Sequence, residues 1–546
     1  MSNQRKITTL LAATVGWVAL TTCSTLSEEI SLRLKGGNFE LSGQLSEYDG
    51  KQYTLISPTL GRMTVEATRF VCVSDSCPRT AVRVSATSTD AERSTRDVEG
   101  SIIVAGSNTI GSALMPSLIE AYAGKYGFRT QKIIGRNPLD LMFKISDGSG
   151  RELATVDLRR HGSSNSFQQL EARAAEIGMS SRPIKQSEVK KLAAAGLGNM
   201  TRPTHEHVLS LDGLIVIVSQ NNPAVSIPRK MLPDIFAGKV TDWSELGLPP
   251  ARINVYAPTE DSGTFETFSQ LVLKPAGVKI SSKAKRTVNL KEQSDWVAAD
   301  PLGIGIVGIA YQRNAKALNI EMPCGLISQP SIFSMKTEEY PLTRRLYLYT
   351  PGRPKSSLAL GLCEFAMSSD AQPIIRDLEF IDQAPEILPV AHQNARIAFG
   401  QNSRNPEFSQ RTMHRFLVDT RNTERLTTTL RFRTASFALD NKAQRDVRRL
   451  AALLKSGKYK DREVMLLGFA DPRGRFQYNM KLSRQRAEAV QAALRAKGID
   501  RTTVSSYSEM APVACNDTRE GLAFNRRVEV WLKRAAVSAQ AHLRHR

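Results

Sequence analysis

Two charged residues near the end of the sequence, Asp471 and Arg486, carry its most specific chemistry; they are 15 residues apart. Asp471 ends the apolar run Val464-Met-Leu-Leu-Gly-Phe, and Arg486 falls in a helical repeat beyond a turn. A loop that folds back would bring one carboxylate and one guanidinium to a common cleft. That pair suits a ligand bearing an ammonium and a carboxylate together: the guanidinium grips the carboxylate with two parallel hydrogen bonds and Asp471 takes the ammonium. An ordinary ion pair bracing a loop is the alternative. A second set of candidates lies upstream in Gly106-Ser107-Asn108-Thr109, Gly162-Ser163-Ser164-Asn165 and Asp261-Ser262-Gly263-Thr264, each opening an apparent helix. Helix starts present unpaired N–H groups and the positive end of the dipole. Several converging on one cleft would hold an oxyanion through neutral donors; each could equally cap its own helix.

The elements that must position these residues can be read from periodicity. At the C-terminal end, Thr427 to Arg433 forms a strand and Asp440-Asn441 caps a helix with Val447, Leu450 and Leu454 on its apolar face. Val464 to Phe469 is a buried strand, Leu482 to Leu494 a helix stopped by Gly498, and Arg527-Val-Glu-Val-Trp-Leu a final alternating strand. Upstream, Ile102-Ile-Val-Ala, Leu211-Asp-Gly-Leu-Ile-Val-Ile-Val and Ile253-Asn-Val-Tyr-Ala are strands alternating with helical stretches, which predicts two α/β lobes. Ile30-Ser-Leu-Arg-Leu, Phe39-Glu-Leu-Ser-Gly and Tyr53-Thr-Leu-Ile-Ser predict a small β-rich unit, with turns at Gly36-Gly37 and Asp49-Gly50.

Gly468-Phe-Ala-Asp471-Pro-Arg-Gly474, Tyr478-Asn479-Met-Lys-Leu482-Ser483-Arg-Gln-Arg486-Ala487 and Asn525-Arg526-Arg527-Val528-Glu529 occur in order. Residues 425–535 thereby resemble the OmpA-like peptidoglycan-binding domain, a βαβ fold. The resemblance implies that Asp471 and Arg486 hold the diaminopimelate of a stem peptide. It further implies that Asn479 shapes the helix entry beside Leu482, and that Asn525 and Arg526 line the rim. Ala470 stands where the family usually has Thr.

Gly106-Ser-Asn-Thr-Ile-Gly, Ile177-Gly-Met-Ser-Ser-Arg182-Pro183, Ile235-Phe-Ala-Gly-Lys-Val-Thr-Asp-Trp243, Asp261-Ser-Gly-Thr264 and Gly303-Ile-Gly-Ile-Val-Gly308 also follow one another. Together they resemble the periplasmic phosphate-binding proteins that serve ABC transporters. The resemblance implies a two-lobed, hinged domain over 98–392, with phosphate or a similar oxyanion held by Ser107, Asn108, Thr109, Ser163, Ser164, Ser180, Ser181, Arg182, Ser262, Gly263 and Thr264. Two family anchors are missing. No Arg precedes the Ser-Gly-Thr turn, where Tyr256-Ala-Pro258-Thr259 stands, and Ser181 replaces an Asp that recognises the proton on phosphate. Arg182, adjacent to Ser181, is the expected substitute for the lost positive charge.

The 546 residues carry a net charge of +21, which favours anionic partners. Only 6% of residues are aromatic and no zinc-finger, basic-zipper or RNP-type pattern occurs, so nucleic acid is not expected. Arg5 and Lys6 followed by the uncharged run Ile7 to Leu20 read as a signal peptide over 1–27; Cys23 suggests a lipoprotein box, although Thr22 is large for it. Cys72 and Cys77 are expected to pair in an oxidising compartment, while Cys324, Cys363 and Cys515 cannot be paired from sequence. The glycine pattern Gly303–Gly308 lacks the strand a dinucleotide site needs, and His205 and His207 lack a third metal ligand. No nucleophile, metal or cofactor motif is present, so no enzyme is expected.

The expected order is a signal peptide (1–27), a small β-rich unit with its linker (28–97), the two-lobed domain (98–392), a linker (393–424), the OmpA-like domain (425–535) and a basic tail (536–546). The expectation is a periplasmic oxyanion-binding protein, wall- or outer-membrane-associated, anchored non-covalently to peptidoglycan, with a transporter or other envelope protein as a further partner. The alternative is a structural envelope protein whose central fold contacts a protein instead of a small anion.

Overall fold

The computed structural model describes residues 29–35, 40–48, 51–57, 61–73, 77, 82–83, 98–260, 262–287, 289–388 and 409–534. The expected signal peptide with Cys23, the turns at Gly36-Gly37 and Asp49-Gly50, Asp261, most of the first linker, residues 393–408 of the second and the basic tail lie outside them. Among the described residues no helix is long and apolar enough to cross a membrane.

The chain divides into two compact units, 1–90 and 91–546. In the first, β1 (Glu29–Leu34), β2 (Glu40–Tyr48), β3 (Gln52–Ser57), β4 (Gly61–Glu66), β5 (Phe70–Cys72) and β6 (Val82–Arg83) form one antiparallel sheet, ordered β4-β3-β2-β1-β5 with β6 beside β2. Ile30, Leu32, Leu41, Leu45, Tyr53 and Leu55 make its core. Cys72 and Cys77 are disulfide-bonded.

The second unit opens with β7 (Gly100–Gly106), β8 (Arg129–Ile134), β9 (Asp140–Ser146), β10 (Glu152–Arg159) and β11 (Ile177–Ser180). With the helix Met115–Lys125 they enclose a first core that includes Val104, Leu118, Phe143 and Val156. β12 (Glu206–Val218) then runs into a second lobe; its near-continuous apolar sequence suits a strand buried on both faces. That lobe contains β13 (Ser226–Pro228), β14 (Asn254–Pro258), β15 (Lys285–Thr287), β16 (Gly303–Gly308), β17 (Lys316–Ala317), β18 (Asn319–Glu321) and β19 (Ile327–Ser328) around Val216, Phe236, Trp243 and Ile306. β20 (Thr343–Tyr349) returns antiparallel to β12, so the two adjacent strands join both lobes in one sheet, β15-β14-β16-β12-β20-β11-β7-β10-β9-β8. The glycine pattern at Gly303–Gly308 is itself the buried strand β16.

The C-terminal fold orders β21 (Ile387–Leu388), β22 (Thr423–Arg431), β23 (Arg462–Gly468), β24 (Thr502–Ser506) and β25 (Arg527–Arg534) as β21-β22-β25-β23-β24. Asp440 caps the helix Asn441–Lys455 by accepting the Ala443 N–H at 2.7 Å. The helix Phe476–Arg495 crosses β23 so closely that a Cβ on Gly468 would lie 2.0 Å from the Ser483 carbonyl oxygen. Only glycine permits this approach. Residues Gln410–Thr420 of the expected second linker form a helix, and β22 begins within that linker. Cys324 and Cys515 form a second disulfide and Cys363 is a buried thiol, its pKa pushed up to about 12 by burial.

Candidate functional sites

The upstream cleft is assembled from both lobes. Gly106 ends β7 at φ +135° against the Met179 carbonyl oxygen, 2.1 Å from where a Cβ would sit. The chain therefore turns tightly there and carries Ser107 and Thr109 into the buried region between the lobes. Ser163 opens the helix Ser163–Glu171, and its Oγ meets the Ser181 Oγ at 3.0 Å and accepts the Ser181 N–H at 3.0 Å. From the second lobe comes the turn Ser262-Gly263-Thr264, where Ser262 Oγ accepts the Thr264 N–H at 3.2 Å. A Cβ on Gly263 would stand 2.9 Å from Thr109 Oγ1, so the lobes meet with no room for a side chain between them.

Two residues that sequence reasoning missed complete this cleft. Arg344, on β20, is buried; its Nη2 donates to Thr109 Oγ1 at 3.0 Å and to the Gly263 carbonyl at 3.3 Å, and its Nε to Asp212 at 3.3 Å. Burial lowers its pKa, while Asp212 and Glu266 act to raise it. Glu266 receives hydrogen bonds from Thr109 Oγ1 at 3.1 Å, Ser181 Oγ at 3.3 Å and Gln270 Nε2 at 3.1 Å. Its carboxylate thus already occupies two hydroxyl donors that an oxyanion would use. Arg344 Nη1 and Ser107 Oγ are buried with no hydrogen-bond partner. An unmet buried donor costs about 1–3 kcal/mol, more when charged, and these two flank Thr109, one by sequence and one through the Arg344 bond.

Other expected residues turn elsewhere. Arg182 does not replace the missing charge: its guanidinium stacks over Phe167 and donates to both oxygens of Glu188, at 2.9 and 2.6 Å. Adjacency to Ser181 misled here: the chain bends at both residues just past the strand, and Glu188 offers the guanidinium a two-oxygen partner. Ser164 accepts from Arg182, Ser180 Oγ donates to the Arg182 carbonyl and Asn108 accepts from Arg160 at 3.4 Å. His207 sits between Thr350 and Arg445, and burial and neighbouring positive charge push its pKa down to about 3.

The C-terminal recess is lined by Thr434, Ala435, Asp471, Arg473, Tyr478, Asn479, Leu482, Arg486 and Arg526, so Asp471 and Arg486 do share one cavity. They are not each other's partners. Asp471 accepts from Arg526 at 2.8 Å and from Arg473 at 3.2 Å. Burial raises its pKa, but the bonds from these two guanidinia outweigh that and hold it low. Fully buried Arg486 donates to the carbonyls of Ser436, Phe469 and Arg433, and burial followed by Arg526 brings its pKa down to about 10. Three guanidinia around one carboxylate leave the recess net positive, suited to a carboxylate-bearing ligand. Asn479, in the first turns of the helix Phe476–Arg495, donates from Nδ2 to the Gly474 carbonyl at 3.5 Å and to Glu509 at 3.3 Å. Asn525 does not line the rim: it is buried and pins the 513–516 loop by bonds to the backbone of Val513 and Ala514.

Comparison with known proteins finds matches to two families. Residues 86–370, just over half of the chain, match the PBP superfamily domain, and residues 431–526 match the OmpA family. Protein SphX of Synechococcus elongatus is 30% identical over 233 residues, 40% of this chain and 67% of that protein. Phosphate-binding protein PstS of Staphylococcus saprophyticus is 26% identical over 203 residues, 36% of this chain and 61% of that protein, so the chain spans less than two thirds of that relative. The solved peptidoglycan-associated lipoprotein of Burkholderia pseudomallei is 30% identical, covering 19% of this chain and 89% of that one, with a TM-score of 0.18. The chain belongs to the PBP superfamily and carries an OmpA-family domain at its C-terminal end.

Proposed function

We propose that this chain is an oxyanion-binding protein of the cell envelope, periplasmic and held non-covalently to peptidoglycan, with phosphate as the leading ligand. The observation that carries the reading is the pair of unmet donors, Ser107 Oγ and Arg344 Nη1, beside Thr109 and Ser181 in the interlobe cleft. Both matched families are non-enzymatic binding modules, and the relative named phosphate-binding protein PstS supports an anion at this site. The positive recess around Asp471 supports a diaminopimelate-bearing stem peptide as the wall ligand. Calorimetric titration of the full chain with phosphate tests the first part, and co-sedimentation with purified peptidoglycan the second.

A second reading has its own observation. Because Glu266 already accepts from Thr109 and Ser181, the cleft is partly satisfied without a ligand, as in a structural envelope protein that uses its central fold to contact another protein. Absence of heat with any oxyanion, from folded protein, would favour that reading.

A further inference from the structure

The C-terminal domain touches both lobes of the central fold, and by different means. Toward the second lobe, Cys515 is bonded covalently to Cys324. Buried Arg425 pairs with Glu339, and Arg431 lies 3.7 Å from Glu338 while donating to the backbone carbonyls of Thr337 and Glu338. Toward the first lobe, Asn441 donates to the Thr201 carbonyl at 3.0 Å and to Glu206 at 2.9 Å, and Arg445 meets the ring of His207. Between these anchorages, Arg345 on β20 bridges Glu338 and Asp440.

The same two lobes are shut across the cleft. Thr109 and Ser181 of the first lobe donate to Glu266 of the second, and Arg344 ties Thr109 to Gly263. The lobes are joined side by side by β12 and β20, and opening the cleft means rotating one lobe against the other about those strands. A single folded domain fixed to both lobes opposes that rotation. The second-lobe anchorage is covalent and its ion pairs are buried, where separating one partner leaves an uncompensated charge. The first-lobe anchorage would have to give way for the cleft to open.

We infer that the C-terminal domain is a strap that holds the two lobes closed, so that the cleft does not open and shut freely while the domain is docked. The inference is independent of which anion the cleft takes, because every group named belongs to the chain itself. It makes the chain a retainer of whatever it binds, with entry and release governed by undocking of the Asn441–Arg445 anchorage.

Electron–electron resonance distances in the full chain test this, with spin labels at Arg136→Cys and Glu260→Cys on exposed segments of the first and second lobes. In the otherwise intact chain one narrow distance is expected, unchanged by added inorganic phosphate. In a background carrying Cys324→Ser, Cys515→Ser, Asn441→Ala and Arg445→Ala, a second, longer distance should appear. Two populated distances in the intact chain would overturn the strap, because the lobes would then open with the domain in place. A single unchanged distance in both backgrounds would also overturn it, because closure would owe nothing to these contacts.

Discussion

Arg344 and Arg345 are neighbours on one strand and serve opposite sides of it. Arg344 reaches into the interlobe cleft to Thr109, whereas Arg345 reaches Glu338 and Asp440, the cap residue of a C-terminal helix. The two-residue repeat of a strand thus puts the cleft's main cation and the interdomain seam back to back. Arg344→Lys keeps the charge but loses the planar guanidinium whose Nη2 bonds both Thr109 and Gly263. Phosphate affinity should fall about 10- to 100-fold, the value of one or two charge-assisted hydrogen bonds, by calorimetry on the full chain.

On the proposed oxyanion reading, Glu266 should set which anion the cleft prefers. A carboxylate beside Thr109 and Ser181 repels a fully ionised oxyanion but can accept a proton that the ligand brings. The intact chain should therefore prefer hydrogen phosphate to sulfate at pH 7.5. Glu266→Gln should improve sulfate affinity relative to phosphate by about 10-fold or more, since it removes a like-charge contact. An unchanged ratio of the two dissociation constants would count against this role.

Acidification should weaken the seam. His207 is held neutral with a pKa near 3 by burial and by Arg445, against about 6.5 when exposed. Between those values the unfolded chain binds a proton that the folded one excludes, so stability falls as pH drops below 6.5. The loss is on the order of 1 kcal/mol at pH 5.5. Glu206 beside it has a pKa raised by burial and opposes the trend, so the net fall is smaller than His207 alone would give. The thermal midpoint should fall between pH 7.5 and 5.5, and His207→Gln should flatten the dependence.

Wall binding should depend on the positive recess more than on one ion pair. Arg473 is half-exposed and bonds Asp471 without bracing any strand or helix, so Arg473→Ala should lower peptidoglycan co-sedimentation several-fold with the thermal midpoint unchanged. Asp471→Ala should abolish most binding, because it strands Arg526 in the buried wall of the recess. Arg486→Ala is a poorer probe, since that side chain ties three backbone carbonyls together.

What the sequence revealed follows the range of each interaction. The Asp440 cap and the buried strand read as Val464 to Phe469, found as Arg462–Gly468, rest on local patterns, and so does the reading that put Asp471 and Arg486 in one recess. Arg344 was hidden because Leu342-Thr-Arg-Arg-Leu has no feature that points to Thr109, 235 residues away. The Cys324–Cys515 pairing spans 191 residues and depends on how two domains dock, which no spacing encodes. Arg182 failed for the opposite reason, since proximity in sequence to Ser181 says nothing about direction once Glu188 offers a bidentate partner.

The central claim is that the interlobe cleft holds an oxyanion, and calorimetric titration of the full chain with phosphate, beside a Ser107→Ala/Arg344→Lys variant, tests it most directly. Saturable phosphate binding by the intact chain, lost or weakened at least about 10-fold in the variant, is the predicted result. No binding by folded intact protein, or equal binding by both proteins, would contradict it.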